Sequence, residues 1–399
     1  YQLSINMTER QLFLQHIAQT SPSPLGLEIN KAEGCMLWDK TGKAYIDLIA
    51  GISVCNIGHC HPAVVKAVQE QAAQYLHIMV YGEFIESPQV QYAQLLTQHL
   101  PSTLNAVYFT NSGTEATEGA MKLAKRLTNR TGMVAFNNSY HGSTQGALSV
   151  MGSEYWRNAF RPLLPHIWHE NYNDDAAIQR IDENIACVIM ETVQAESGII
   201  QPNKQWIQAV RQQCTEKGVL FIVDEIQAGF GRTGSLWAFE QFNIIPDILL
   251  LGKALGGGMP LGAFIADKKI MQALTENPVL GHITTFGGHP VSCAAGMAAM
   301  QVLLASNWIK AVKAKEKLFI ERLQHPLIKS VRSAGLWIAI EFESFDMNKK
   351  IIDACIKNGL ITDWFLFAPQ CLRIAPPLCI TEKEINEACD IIMACLKNT

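Results

Sequence analysis

The chain has 399 residues, 48% of them hydrophobic and 17% charged, with a net charge of −4 and a mean hydropathy of +0.08. That length allows more than one domain and a large buried core, while the slight negative charge offers nothing to nucleic acid or to an anionic membrane. The low charged share also points to surface hidden in a subunit interface.

The eleven cysteines are odd in number and scattered, Cys35, Cys55, Cys60, Cys187, Cys214 and Cys293 among them. They read as reduced thiols of a cytoplasmic protein, not as a disulfide framework. Tyr1–Arg10 shows no basic head followed by an apolar run, so no signal peptide is expected, and Met7 is a candidate start. No stretch approaches the ~20 uninterrupted apolar residues of a spanning helix.

In chain order, residues 1–54 are expected to join the C-terminal part of the chain in one smaller domain. The large domain is expected over residues 55–300. Within it Ala106–Thr110, Met133–Asn137, Ala186–Glu191, Val219–Asp224 and Asp247–Leu251 read as short, buried strands. Helical patterns lie between them, such as Thr114–Arg130, where Ala116, Ala120, Leu123, Ala124 and Leu127 share one face. Apolar strands alternating with helices imply an α/β fold with a mostly parallel sheet covered on both sides. Helical stretches 291–323 and 348–359 then flank extended segments near Val331–Phe342 and Leu372–Pro376, which suggests a smaller α+β domain over residues 301–399. No internal repeat or low-complexity stretch is present.

Ligands of open α/β sheets sit beyond the carboxyl ends of the strands, and three motifs follow strands in that way. Asn111-Ser112-Gly113-Thr114-Glu115 lies between the strand AVYFT and a helix, where backbone N–H groups and hydroxyls make a ready anion site. An ordinary helix cap is the competing reading. Asp224-Glu225-Ile226-Gln227 ends the strand VLFIVD, so Asp224 is placed to answer a ligand cation or to cap the next turn. Gly252-Lys253-Ala254-Leu255 follows the strand DILLL and runs into three glycines. A lysine there would be partly desolvated and nucleophilic, although a lone lysine is more often a surface residue.

Together the three motifs fit one ligand with a phosphate, a protonatable ring nitrogen and an aldehyde. From about Gly34 to the C-terminus the chain resembles class III, fold-type I aminotransferases dependent on pyridoxal 5'-phosphate, the group that holds acetylornithine, ornithine, 4-aminobutyrate and ω-amino acid transaminases. The Asp-Glu-x-Gln…Lys-Ala-Leu-Gly-Gly-Gly signature carries most of that resemblance.

The resemblance implies a role for each matching residue. Lys253 binds the cofactor covalently and then moves a proton between substrate and cofactor. Asp224 pairs with the ring nitrogen, supported by Glu191, and Gln227 faces the ring oxygen. Tyr140, followed by His141, stacks on one ring face and Ile226 packs on the other. Ser112, Gly113 and Thr114 hold the phosphate, and Thr285 reaches the phosphate of the neighbouring subunit, so a homodimer with shared sites is expected. Arg373 resembles the arginine that clamps a substrate carboxylate, and Glu196 the glutamate that covers it when a terminal-amine donor is bound.

Three positions depart from the pattern. Ser143 stands where several branches carry an arginine for a distal carboxylate, and Ile52 where the ornithine branch carries a substrate-touching tyrosine. His289 replaces an asparagine common in the acetylornithine branch. The Gly58-His59-Cys60-His61-Pro62 run matches a structural turn of the family and has no second cluster at zinc spacing, so no metal is expected. The expected activity is transfer of an amino group from an ω-amino acid, diamine or similar primary amine to a 2-oxo acid. An aminomutase or racemase on the same fold, and a non-catalytic binding protein, are the alternatives.

Overall fold

A computed structural model describes residues 7–80 and 82–397. Residues 1–6, 81, 398 and 399 lie outside the described residues, and with them most of the N-terminal stretch Tyr1–Arg10.

A short helix, Glu9–His16, is followed by three antiparallel strands, β1 (Ile29–Glu33), β2 (Met36–Asp39) and β3 (Ala44–Asp47). The central sheet follows: β4 (Ala106–Thr110), β5 (Gly132–Phe136), β6 (Ile167–Glu170), β7 (Ile185–Glu191), β8 (Leu220–Asp224), β9 (Ile248–Leu251) and β10 (Gly262–Ala266). Its order is β4-β10-β9-β8-β7-β5-β6, and β10 alone runs against its neighbours. The strands β5, β7, β9 and β10 are buried along their whole length, which is why they read as unbroken apolar runs and not as alternating ones. Two hydrophobic clusters cover the two faces, Val188, Phe221 and Leu249 in one and Cys187, Ile222 and Leu250 in the other.

The five expected strands are present within a residue or two at their ends. The expected helix is Gly113–Thr128, capped by Ser112 and finished by Asn129 in the left-handed region. Its buried face includes Ala116, Ala120, Leu123 and Ala124, whereas Leu127 is 41% exposed. Gly119 lets this helix sit directly on β10, since a Cβ there would come 2.4 Å from Phe264 Cε1.

The C-terminal part holds β11 (Ser330–Ser333), β12 (Ile338–Glu341), β13 (Leu360–Ile361), β14 (Trp364–Phe365) and β15 (Ala368–Ile374). The order β11-β12-β15-β14 makes one antiparallel sheet, and β13 pairs in parallel with β3. The N-terminal strands are thus tied to the C-terminal segment, a link extended by Ala375 N–H to Leu48 O at 2.7 Å and Leu378 N–H to Asn56 O at 2.7 Å. The helical stretch 291–323 is two helices, Pro290–Ala305 and Trp308–Arg322, bent by 72°. The break falls at Ser306, whose hydroxyl accepts from Trp308 N–H at 3.2 Å. The final helix, Glu382–Lys397, was not expected. No single helix among the described residues is long and apolar enough to cross a membrane.

Candidate active site

The carboxyl ends of the parallel strands converge on a cavity of about 290 Å³, near the lower end of the range for small-ligand sites. Register fixes its floor. Glu191 and Asp224 are direct partners across β7 and β8, so two carboxylates end adjacent strands. Asp224 is buried, and its Oδ1 accepts from Ile226 N–H at 2.9 Å while Oδ2 lies 2.7 Å from His141 Nδ1. Glu191 faces Tyr140: its two oxygens accept from the N–H groups of Tyr140 at 3.0 Å and Ala195 at 2.8 Å. Burial first, and then the charge of Asp224, hold the Glu191 carboxyl well above the usual carboxylate range. Glu225 points away from the cavity and caps the turn after Trp237 through Ala238 N–H at 2.7 Å and Phe239 N–H at 2.6 Å.

Lys253 follows β9 directly and adopts φ +49°. A non-glycine residue in the left-handed region is strained, and the surrounding packing must hold it there. Burial depresses the Lys253 pKa below the ordinary lysine range, against the raising effect of Glu196, Asp224 and Glu191. The amine is the cavity's one lysine nitrogen among the described residues.

The opposite wall is the N-terminus of helix Gly113–Thr128. Gly113 is required by packing, because a Cβ there would lie 2.7 Å from Ile226 Cδ1. Gly142, at φ +128°, would bring its Cβ 2.3 Å from Thr114 Oγ1. Thr114 Oγ1 is 2.7 Å from Thr144 Oγ1, and Glu118 takes the Thr144 hydroxyl at 2.6 Å and Gly146 N–H at 2.8 Å. Tyr140 Oη is 3.1 Å from Ser143 Oγ, and both residues line the cavity.

Behind Gln227 lies a buried ion pair. Arg373 Nη1 and Nη2 donate to the two oxygens of Glu196 at 3.1 and 2.9 Å, and Gln227 Nε2 donates to Glu196 at 3.2 Å. Burial alone would raise the Glu196 carboxyl, but Arg373 and the Leu366 N–H hold it below the usual range.

Gly113, Thr114, Tyr140, His141, Ser143, Glu191, Asp224, Ile226, Gln227 and Lys253 therefore share one cavity. Arg373 and Glu196 adjoin it through Gln227. Ser112 does not line it, its hydroxyl accepting instead from Glu115 N–H at 3.4 Å. Ile52 does not line the cavity and lies in a left-handed turn in which Ala50, Gly51, Ile52 and Ser53 all have φ between 51 and 63°. Thr285 is exposed, beside Thr284, whose hydroxyl accepts from Asn111 Nδ2 at 3.0 Å. Thr144 and Glu118, which support Thr114, were missed; their signal was only a polar residue at helix spacing from Thr114.

A buried amine, a buried carboxylate and an open helix N-terminus around one small cavity define a site for a phosphorylated aldehyde with a basic ring. The chain belongs to the class-III aminotransferase family, whose model matches residues 17–396. It is 40% identical over 361 residues to an acetylornithine aminotransferase of Methanopyrus kandleri, covering 89% of this chain and 90% of that protein. It is 38% identical over 380 residues to the acetylornithine aminotransferase of Bacillus cereus, covering 93% and 96%. Among solved structures, the ornithine aminotransferase of Toxoplasma gondii superposes with a TM-score of 0.90 at 30% identity, over 98% of this chain and 94% of that one. The chain is thus a fold-type I transferase that moves an amino group to a 2-oxo acid with pyridoxal 5'-phosphate as cofactor.

The residues present fit that cofactor. His141 Nε2 and Gln227 Oε1 are buried with no partner within the described chain, as polar atoms of a ligand site would be. The glycine at position 113 lets Ile226 pack against the helix start, where a Cβ would meet three of its side-chain carbons within 3.2 Å.

The depressed Lys253 pKa has a direct test. Burial penalises the ammonium, so the neutral amine should appear at lower pH than the roughly 10.4 of a free lysine. Competitive acetylation of the apoenzyme across pH, quantified on the peptide bearing Lys253, should give a midpoint below that value. A midpoint at or above it contradicts the assignment.

Proposed function

We propose that the enzyme takes the terminal amino group of an ω-amino acid, diamine or related donor and passes it to a 2-oxo acid in two alternating half-reactions. When bound, the cofactor supplies an aldehyde carbon that accepts the amine and a ring that spreads the electron pair released at the substrate carbon. Lys253 is the covalent anchor, and as a neutral amine it takes and returns the proton at that carbon. Asp224, held by His141 and the Ile226 N–H, keeps the ring nitrogen protonated. Tyr140 and Ile226 flank the two ring faces, and the Gln227 oxygen is free to accept from the ring hydroxyl. Gly113 and Thr114 at the helix start, with Ser112 as its cap, hold the phosphate.

The Arg373–Glu196 pair is the observation that carries this reading. A buried arginine closed by a glutamate is a carboxylate site that opens for one substrate and stays shut for another. Transfer between two unlike substrates needs that property. The acetylornithine aminotransferase relatives support an ω-amine donor.

For the acceptor, Arg373 is one carboxylate anchor, which any 2-oxo acid can use. A five-carbon dicarboxylate needs a second, and Ser143 offers one neutral hydrogen bond of about 0.5–1.5 kcal/mol. An arginine in that place would give charge-assisted bonds about twice as strong. Pyruvate should therefore be used at least as well as 2-oxoglutarate. Steady-state kinetics with both acceptors and one shared donor measure this. A kcat/KM for 2-oxoglutarate tenfold or more above that for pyruvate, about 1.4 kcal/mol, overturns it.

A cytoplasmic homodimer completes the proposal. Eleven cysteines, none of them in a disulfide among the described residues, suit a reducing compartment. Leu76, Ile85, Val279, Ile283 and Phe286 are exposed, and His77 and Phe286, with ring centroids 4.6 Å apart, join their two segments into one apolar patch. Thr285 lies in that patch, one residue from the Asn111–Thr284 contact that leads to the phosphate site. Sedimentation should give a dimer whose mass does not change with dilution to nanomolar subunit. A fully active monomer is the contrary result.

A further inference from the structure

The guanidinium of Arg373 has two edges, and the chain treats them differently. The terminal edge, Nη1 and Nη2, is taken by Glu196 in the two-bond geometry a substrate carboxylate would use. The other edge faces a single short segment, β14 and the residues on either side of it. Asp363 Oδ1 lies 3.0 Å from Arg373 Nε, and the Trp364 carbonyl accepts from Nη2 at 2.9 Å. The Phe365 ring lies under the guanidinium, 4.5 Å from its carbon to the ring centroid. The next residue, Leu366, donates its N–H to Glu196 at 3.0 Å.

Arg373 Nε and Asp363 Oδ1 are both buried, and although they lie 3.0 Å apart as an ion pair, neither makes an aligned hydrogen bond to the other or to any other described group. Each is the other's polar neighbour. The Asp363 carbonyl also accepts from Arg373 N–H at 2.9 Å, so backbone and side chain hold the same pair of residues.

We propose that Asp363 is a positioning residue that holds the Arg373 guanidinium by its Nε edge, so that the terminal edge can be exchanged between Glu196 and a substrate carboxylate without the arginine moving. The inference rests on the reading of Arg373 as the carboxylate anchor. Asp363 repels Glu196 and an incoming carboxylate alike, so its charge largely cancels in the exchange. The orientation of the guanidinium plane does not cancel. Without Asp363 the buried Nε has no anion, and the arginine must turn toward Glu196 to find one. That strengthens the closed pair at the substrate's expense.

Two reagents that capture the cofactor aldehyde test this on the holoenzyme without knowledge of the natural donor: aminooxyacetate, which carries a carboxylate, and methoxyamine, which does not. The ratio of their second-order rate constants, read from the loss of cofactor absorbance, reports the anchor. Asp363→Ala should lower that ratio at least tenfold, leave the methoxyamine rate within threefold, and be restored to within threefold of wild type by Asp363→Glu. Asp363→Asn, which keeps the shape, should lower the ratio at least threefold and serves if the alanine variant does not fold. Arg373→Ala separates the two levels of the argument. If it lowers the ratio while Asp363→Ala and Asp363→Asn leave it unchanged, Asp363 does not position the arginine. If Arg373→Ala leaves the ratio unchanged, the anchor reading itself is wrong and the inference falls with it.

Discussion

An ionised side chain buried against an apolar sheet must have its charge and lone pairs answered, because an unanswered one costs several kcal/mol. In this protein that constraint acts at one edge of one sheet. Asp224 ends a strand whose preceding residues are Phe221, Ile222 and Val223, all fully buried. It is answered by His141 from the loop after β5 and by the Ile226 N–H. Glu191, its partner in register, turns to the backbone of Tyr140 and Ala195. The positions of Tyr140, His141 and Ile226 around the cavity follow from these demands.

The same logic runs outward to Arg373. Glu196 answers Arg373, Gln227 answers Glu196, and Asp363 takes the remaining edge of the arginine. Lys253 is the exception, since its burial lowers the cost of losing the proton. The cavity thus holds an amine that loses its proton more readily than an exposed lysine, and the left-handed backbone at Lys253 is a local strain that the packed turn Lys253–Gly256 sustains.

The strands that carry the site were legible because burial on both faces writes itself as unbroken Val, Ile and Leu. The motifs at their ends were legible because the chemistry needs particular residue types there. What stayed hidden had weaker local signals. The strand β10 is Gly-Ala-Phe-Ile-Ala behind a glycine run, so its small residues gave little strand propensity, and tertiary pairing with β4 and β9 decides its state. The last helix does carry a start signal in Thr381 and Glu384, whose side chain accepts from Thr381 N–H at 2.7 Å. Asp363 is ten residues from Arg373 in the short link between β13 and β14, and no spacing rule announces a contact made from there to β15. The bend at Ser306 likewise depends on one hydroxyl accepting from Trp308.

The account stands on Lys253 as the covalent anchor among these charges. Borohydride reduction of the holoenzyme, followed by digestion and mass mapping, tests it most directly. The account predicts the reduced cofactor on the peptide bearing Lys253, at one label per subunit. A label on any other lysine contradicts it.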